Sequence, residues 1–401
     1  MKKSNKQTLI WVGALVLGVV LGLLNVEMIN STMTVLAQIF ARLFQLIAIP
    51  TIAVAVVATM MNLGAEKGTV KIFRCAMTYT LLTTIIAAAV GVSIYYIVSP
   101  SNLSADFMAN GDAAVSADFS GESYSDHLLN VIPNNLLTPL LDGNVLGVLL
   151  MAFAIGIGIS KLPESNSKTT LKSFIEGVQN LLFLLIKWLI AILPIGIVAF
   201  AAQLTAQVSG GLVADSLGKY ILVVLAANCS QMFIVLPLFL LSHGINPVKA
   251  VKAMGPALLT AFFTKSSAAT LPLTISSAEE RMGVKPKVAR FVLPLCTTLN
   301  MNGCAAFIAI TSIFVMQNAG MALSFWEVLL WVGIASIAAV GNAGVPMGCY
   351  FLTLSLMSGV EGGVAILGVI LPIYTIIDMV ETCENVWSDS TVAIVTDRLT
   401  K

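Results

Sequence analysis

The sequence predicts an all-α membrane protein with eight transmembrane helices and two re-entrant helical hairpins. The first observation is composition: the 401 residues are 58% hydrophobic and only 10% charged, whereas soluble domains carry about 25% charged residues. The second is a set of eight continuous apolar segments, each long enough to form a membrane-crossing helix. The third is a pair of apolar segments with polar or Gly-rich breaks, as expected for helices that enter and leave the membrane on one side.

The eight predicted spans follow one another along the chain with polar connections between them. The first has a basic N-terminus before it but no small-residue cleavage site after it, so we interpret it as an uncleaved span rather than a signal peptide. The two interrupted segments, at about 250–278 and 326–360, are predicted to form the hairpins. The spans are predicted at about 9–24, 34–63, 73–98, 144–160, 177–203, 217–242, 288–316 and 363–395.

The distribution of basic residues predicts the orientation of these spans. Residues 99–144 contain no Lys or Arg, whereas both termini and the loops around residues 67–74 and 281–290 are basic. Because cytoplasmic loops carry the excess of Lys and Arg, both termini are predicted to be cytoplasmic and residues 99–144 external. Eight crossings place both termini on the cytoplasmic side only if each hairpin returns to the side from which it enters.

Charge and residue usage exclude several classes of function. The net charge of +1 predicts no nucleic-acid partner. His127 and His243 lie far apart in the sequence, which disfavours a His-based metal or catalytic site. The six cysteines lie in or beside apolar runs without a CxxC pair, so they are interpreted as small hydrophobic residues rather than as disulfide or zinc ligands.

The C-terminal half repeats one pattern, a hairpin followed by a polar span, twice. The first hairpin has a Ser-rich break at residues 264–272, and residues 300–303, Asn-Met-Asn-Gly, interrupt the next span. The second hairpin has a Gly-rich break at residues 341–348, and an acidic span follows it. Inverted repeats with broken helices indicate a transporter with a binding site near the bilayer midplane.

Each of these breaks has two interpretations. Backbone N–H groups and Ser hydroxyls at a hairpin tip bind a carboxylate or an amine, but a turn at the membrane surface has the same composition. Similarly, residues 300–303 are either an unwound turn whose carbonyl groups bind a cation or a kink caused by Gly303.

The last span carries acidic residues that a membrane helix normally excludes, because a charge at the bilayer centre costs about 2.5–3.5 kcal/mol. Glu384 lies away from the other polar residues of the span. A solvated amphipathic helix is the alternative, but the polar face contains no Lys or Arg. At 100° per residue, one stripe of the helix holds Asp378, Glu381, Thr382, Asn385 and Asp389.

Together these motifs resemble the dicarboxylate/amino acid:cation symporter family, which has the glutamate-transporter fold. The resemblance also covers residues 41–50, 142–147 and 193–196. It implies a homotrimer in the lipid bilayer of the plasma (inner) membrane, working by an elevator motion. Residues 1–246 then form mainly the scaffold and trimerisation spans, although the third and sixth spans belong to the transport part. Residues 247–401 form the core transport region.

The resemblance also assigns the site residues. The motif positions that bind substrate in the family correspond to Ser266, Ser267, Val345, Pro346, Asp378, Glu381, Thr382 and Asn385. The positions for the co-transported sodium ions correspond to Tyr79, Thr83, Thr84, Asn300, Met301, Asn302, Asn385 and Asp389.

Two departures from the family pattern change the expected coupling and substrate. Asn302 stands where the family has an acidic residue, so fewer than three sodium ions per substrate are expected. Glu381 stands where members that carry acidic substrates have an Arg, so the motifs are most similar to the serine/threonine:sodium branch. Lys265 is predicted to form a charge pair with Glu381, which leaves a small, polar and uncharged pocket.

The function expected from the resemblance is sodium-coupled import of small neutral amino acids of the serine, threonine and alanine type. The alternative is a sodium- or proton-coupled carrier of another amino acid, cationic or acidic, on the same fold. An enzyme is not expected: an intramembrane aspartyl protease needs Asp residues on two facing spans, whereas Asp378 and Asp389 share one helix. A channel would have uninterrupted pore-lining spans.

Overall fold

The computed structural model describes residues 2–24, 26–62, 70–103, 134–141, 145–207, 212–340, 342, 347–360 and 362–400. All regular elements in these ranges are helical, which confirms the predicted all-α class for the described residues. The N-terminal helices are α1 (Lys2–Leu23), α2 (Glu27–Asn62), α3 (Val70–Val98), α4 (Thr138–Leu141), α5 (Val145–Lys161), α6 (Asn166–Gln207), α7 (Leu212–Ser230) and α8 (Leu236–Ser242).

The C-terminal helices follow the predicted order of hairpin, broken span, hairpin and acidic span. A π-helical turn, Gln231–Val235, joins α7 to α8, and a second one, Ser277–Met282, extends α10. The helices are α9 (Pro247–Thr264), α10 (Ser267–Ser276), α11 (Pro286–Leu299), α12 (Asn302–Asn318), α13 (Phe325–Ala339), α14 (Gly348–Met357) and α15 (Gly363–Leu399).

Three helical stretches among the described residues are long and apolar enough to cross a membrane: Lys71–Val98, Asp215–Ser242 and Pro286–Asn318. A fourth is present if Gly363–Leu371 and Ile376–Leu399, which are bent by 85° relative to each other, count as one span. The count of eight spans stays a prediction.

Helix α12 is the centre of the packing. Its residues from Asn302 to Met316 are all buried, as expected for a helix that is apolar on all sides. It packs against α3, α7, α13, α14 and α15, whereas α6 packs mainly against α1 and α2. A Cβ on Gly91 of α3 would lie 3.0 Å from Ile310 Cδ1, so this glycine permits the close approach of α3 to α12.

The first hairpin consists of α9 and α10, which pack against each other. The turn between them begins at Lys265, whose φ of 54° is in the left-handed region, and continues at Ser266, whose Oγ caps α10 by accepting from Ala269 N–H at 3.2 Å. The second hairpin consists of α13 and α14. Gly341 and residues 343–346 of its break, with the predicted gate residues Val345 and Pro346, lie outside the described residues.

The span between the hairpins is unwound, as the Asn-Met-Asn-Gly motif predicts. Asn300 (φ −99°, ψ 78°) and Met301 (φ −111°, ψ 66°) have non-helical backbone angles between α11 and α12. The interpretation of a continuous helix with a Gly-induced kink is therefore wrong, because two consecutive residues leave the helical conformation.

The interpretation of all six cysteines as small hydrophobic residues is wrong for one pair. Cys304, at the start of α12, and Cys349, at the start of α14, form a disulfide with a Cα–Cα distance of 5.3 Å. The two residues are 45 positions apart in sequence, and only the packing of α14 against α12 brings them together. The disulfide connects the broken span to the second arm of the second hairpin.

Candidate functional site

The acidic stripe of α15 faces the interior of the protein. Asp378, Glu381, Thr382, Asn385 and Asp389 are each at most 6% exposed. The alternative of a solvated amphipathic helix is therefore wrong, since such a helix would expose this face to water. The polar residues that the sequence places on one stripe instead meet polar groups from the unwound span and from the second hairpin.

One group of oxygens forms where the unwound turn meets α15. Asn300 Nδ2 donates to Asp389 Oδ1 at 3.1 Å and to Ser388 Oγ at 2.8 Å. Asn302 Nδ2 donates to the same Ser388 Oγ at 2.7 Å. Ser388 was not among the predicted residues, although its position beside Asp389 on the polar span could have indicated it. It holds both Asn side chains with their oxygens directed away from α15.

Helix α3 completes this oxygen cluster. Thr83 Oγ1 lies 3.2 Å from Asn300 Oδ1 and 3.4 Å from Asn302 Oδ1, and Thr84 Oγ1 lies 2.9 Å from Asn302 Oδ1. All four side chains are buried. The structure thus brings together Thr83, Thr84, Asn300, Asn302 and Asp389, five of the residues predicted for sodium.

Two other predicted sodium ligands have different surroundings. Tyr79 Oη lies 3.1 Å from His243 Nε2, and its ring contacts Phe239, so its side chain belongs to a separate aromatic group. The Met301 carbonyl accepts from Ala305 N–H at 2.9 Å as part of the first turn of α12. The Tyr79 carbonyl, however, accepts from Thr83 Oγ1 at 2.9 Å and so lies beside the oxygen cluster, whereas the predicted role of Met301 gains no support from these contacts.

Asn385 fixes the start of α12 against α15. Its Oδ1 accepts from Gly303 N–H at 2.9 Å. A Cβ on Gly303 would lie 2.7 Å from Asn228 Oδ1, 3.0 Å from Glu384 Oε2 and 3.1 Å from the Glu381 Cα, so the close packing here requires a glycine. Glu384, which the sequence places off the stripe, is fully buried, and its carboxylate lies beside Gly303.

Asp378 contacts the second hairpin. Its Oδ2 accepts from the Met347 N–H at 3.1 Å, and Met347, near the end of the break of that hairpin, has a left-handed φ of 63°. On the side of the first hairpin, Ser267 is buried at the start of α10, and the neighbouring Ser266 caps that helix. Thr382 lies on the same buried face of α15.

The predicted charge pair between Lys265 and Glu381 gains no support from the described contacts and stays a prediction. Glu381 Oε2 accepts from Tyr374 Oη at 2.8 Å, and no described residue donates to Oε1. Lys265 interacts electrostatically with Asp378 instead. Tyr374 was not predicted, although its spacing of seven residues places it on the same face of the helix as Glu381. It satisfies the carboxylate oxygen that the lysine was expected to reach.

The chemistry of the oxygen cluster suits a hard monovalent cation. Carboxylate, amide and hydroxyl oxygens from three elements converge without any thiolate or imidazole ligand, and such all-oxygen sites select hard ions. Among the described residues, no group of three or more His, Cys, Asp and Glu side chains forms a transition-metal site. The arrangement therefore offers a hard cation one carboxylate and several neutral oxygens.

Comparisons with known proteins agree with this geometry. The sodium:dicarboxylate symporter family matches residues 7–399. The neutral amino acid transporter B(0) of Homo sapiens is 28% identical over 434 residues, covering 97% of this chain and 79% of the human protein. The Bos taurus protein of the same name is 28% identical over 385 residues, covering 88% and 71% of the two chains. Excitatory amino acid transporter 3 of Mus musculus is 25% identical over 445 residues, covering 97% and 84%.

Proposed function

Since the chain belongs to the sodium:dicarboxylate symporter family, we propose that it imports small neutral amino acids of the serine, threonine and alanine type together with sodium. The names of the human and bovine relatives, neutral amino acid transporters, support the substrate class. The mouse relative, named for excitatory amino acids, is also similar over 97% of the chain, so overall similarity alone does not choose the substrate.

The observation that carries the proposal is the pair of buried carboxylates at Asp378 and Glu381. An α-amino acid presents one ammonium and one carboxylate. Asp378 holds the ammonium through charge-assisted hydrogen bonds, and backbone N–H groups of the hairpins with Ser267 hold the carboxylate. Glu381 then faces the substrate side chain. A second substrate carboxylate would meet a negative group there, so aspartate and glutamate bind poorly.

Lys265 adds a step to substrate binding. Its ammonium interacts with Asp378, the same carboxylate that the substrate ammonium needs. The substrate ammonium therefore competes with Lys265 for Asp378. Thr382 and Asn385 complete the substrate pocket on α15, and Val345 and Pro346 close it from the second hairpin.

Sodium binds as cargo at the oxygen cluster. Asp389 supplies the negative charge, and neutral oxygens come from Thr83, Thr84, Asn300 and Asn302. The amide of Asn302 brings no charge, so the transporter carries fewer than three sodium ions per substrate. Asn385, through Gly303, connects this cluster to the substrate pocket.

The finer architecture belongs to the same proposal. The protein works as a homotrimer in the plasma membrane with both termini in the cytoplasm. Residues 247–401, with the third and sixth spans, move as the transport part relative to a scaffold formed by the rest of residues 1–246. The packing of α6 against α1 and α2, and of α9 and α11 against α15, supports this division.

A cationic amino acid is the second candidate substrate, because one oxygen of Glu381 accepts no hydrogen bond from any described residue. Competition for labelled serine uptake into proteoliposomes distinguishes the candidates. We expect unlabelled serine, threonine and alanine to compete strongly, and lysine and aspartate weakly. Strong competition by lysine would favour the cationic substrate, and strong competition by aspartate would contradict the role given to Glu381.

A further inference from the structure

A shallow, open depression lined by basic residues lies at the base of the first hairpin, where α9 begins and the π-helical end of α10 returns. We call it the basic cavity and define it by its lining residues, Asn246, Val248, Lys249, Lys252, Ala253 and Arg281. None of its lining residues is assigned to substrate or sodium.

Three cations line this cavity without a compensating acid. Within the described residues, ion pairs involve Lys168, Lys219 and Arg290, and none involves Lys249, Lys252 or Arg281. The nearby carboxylate of Glu279 accepts from Arg290 at 2.7 and 3.0 Å, and Glu280 does not line the cavity. The positive potential of the cavity is therefore available to an anion.

The start of α9 adds to this potential. The helix has 18 residues and begins at the cavity, with Asn246 as its N-cap. The N-terminal end of a helix carries a partial positive charge of roughly half a unit. The Asn246 side chain accepts from the N–H groups of Val248 and Lys249, so these two donors are occupied, and the Lys and Arg side chains provide the contacts to the anion.

The surroundings of the cavity distinguish a lipid from a soluble anion. One lining residue, Val248, is a large apolar side chain that is 60% exposed, and Val251 is exposed on the same helix α9. A soluble phosphate does not pack against an apolar surface, whereas the acyl chains of a phospholipid do. Basic pockets on the cytoplasmic side of membrane proteins bind anionic headgroups in this way. We propose that the basic cavity binds the phosphate headgroup of an anionic phospholipid.

The test is direct binding to the full-length protein purified in detergent, measured with short-chain phosphatidylglycerol, phosphatidylcholine and glycerol 3-phosphate. We expect binding of phosphatidylglycerol only. The double variant Lys249→Gln/Lys252→Gln should weaken the binding of phosphatidylglycerol about 30-fold, because each lysine near an anionic headgroup contributes roughly fivefold to the affinity. The control Lys285→Gln/Lys287→Gln changes the same charge at the start of α11, outside the cavity, and should weaken binding less than threefold.

Three outcomes would overturn the proposal. Equal weakening in both double variants would indicate general attraction to basic loops. Binding of glycerol 3-phosphate as tight as that of phosphatidylglycerol would identify a soluble anion, and no binding of phosphatidylglycerol would exclude the site. Thermal unfolding of each variant checks that it is folded. Because no transport is measured, the result does not depend on the proposed function.

Discussion

Asp389 is the only charged residue in the oxygen cluster, since the adjacent Asn300 and Asn302 are neutral. The change Asp389→Asn keeps the shape of the side chain and removes its charge. We expect the sodium concentration for half-maximal serine uptake to rise at least tenfold, because the ion loses its one anionic ligand. The preference for serine over alanine should change less than twofold.

Ser390→Ala is the matched control for that variant. Ser390 is also buried on α15, and its Oγ donates within the helix to the Val386 carbonyl at 2.7 Å. Its removal should leave sodium activation unchanged. Sodium activation curves of labelled serine uptake provide the measurement, and an unaltered curve for Asp389→Asn would remove Asp389 from the sodium site.

Tyr374 is a positioning residue for Glu381. The change Tyr374→Phe removes the hydroxyl that donates to Glu381 Oε2 at 2.8 Å but keeps the ring, which contacts Phe307 with centroids 4.7 Å apart. A buried polar group that loses its partner costs about 1–3 kcal/mol. We therefore expect the KM for serine to rise about tenfold and the ratio of serine to alanine uptake to fall.

Tyr350→Phe is the control for this change. Tyr350 is a buried neighbour of the same aromatic group, but its hydroxyl donates to the Leu367 carbonyl at 2.8 Å. It should affect stability without altering the substrate preference. If both variants alter serine selectivity equally, Tyr374 acts through packing and does not orient Glu381.

At the scale of the helices, Gly303 controls how closely α12 approaches α15. In the variant Gly303→Ala, the new methyl group would overlap Asn228 Oδ1, at 2.7 Å, and meet the Glu381 Cα at 3.1 Å. Overpacking of a buried position costs about 1–3 kcal/mol, so the melting temperature should fall by several degrees. Gly333→Ala on α13, with no atom within 4 Å of the new Cβ, should not lower it. Equal melting temperatures for the two glycine variants would mean that α12 and α15 are not tightly packed at Gly303.

The sequence was sufficient to predict the helical elements that carry the site. Polar and charged residues inside apolar runs are costly, so the acidic stripe on α15 and the unwound turn before Gly303 are visible without a structure. The partners of individual side chains were less predictable. Lys265 interacts with Asp378, and Cys304 pairs with Cys349, because these contacts depend on how helices distant in sequence pack. No periodicity within one helix contains that information.

At the scale of the whole molecule, the predicted orientation has a direct test. Ser116→Cys places a thiol in the predicted external loop, outside the described residues, and Ser167→Cys places one at the start of α6. In intact cells an impermeant thiol reagent should label the first variant and not the second, relative to the parent protein. Permeabilised cells supply the control, since both should then react. Labelling of Ser167→Cys from outside would reverse the topology.

Sodium-driven accumulation of serine tests the central claim most directly. Purified protein in liposomes should concentrate labelled serine above its external level when sodium is higher outside, and only equilibrate it when choline replaces sodium. The accumulation should disappear when an ionophore dissipates the sodium gradient. Serine accumulation of equal size with choline, or none in either condition while another class of amino acid is concentrated, would contradict sodium-coupled transport of small neutral amino acids.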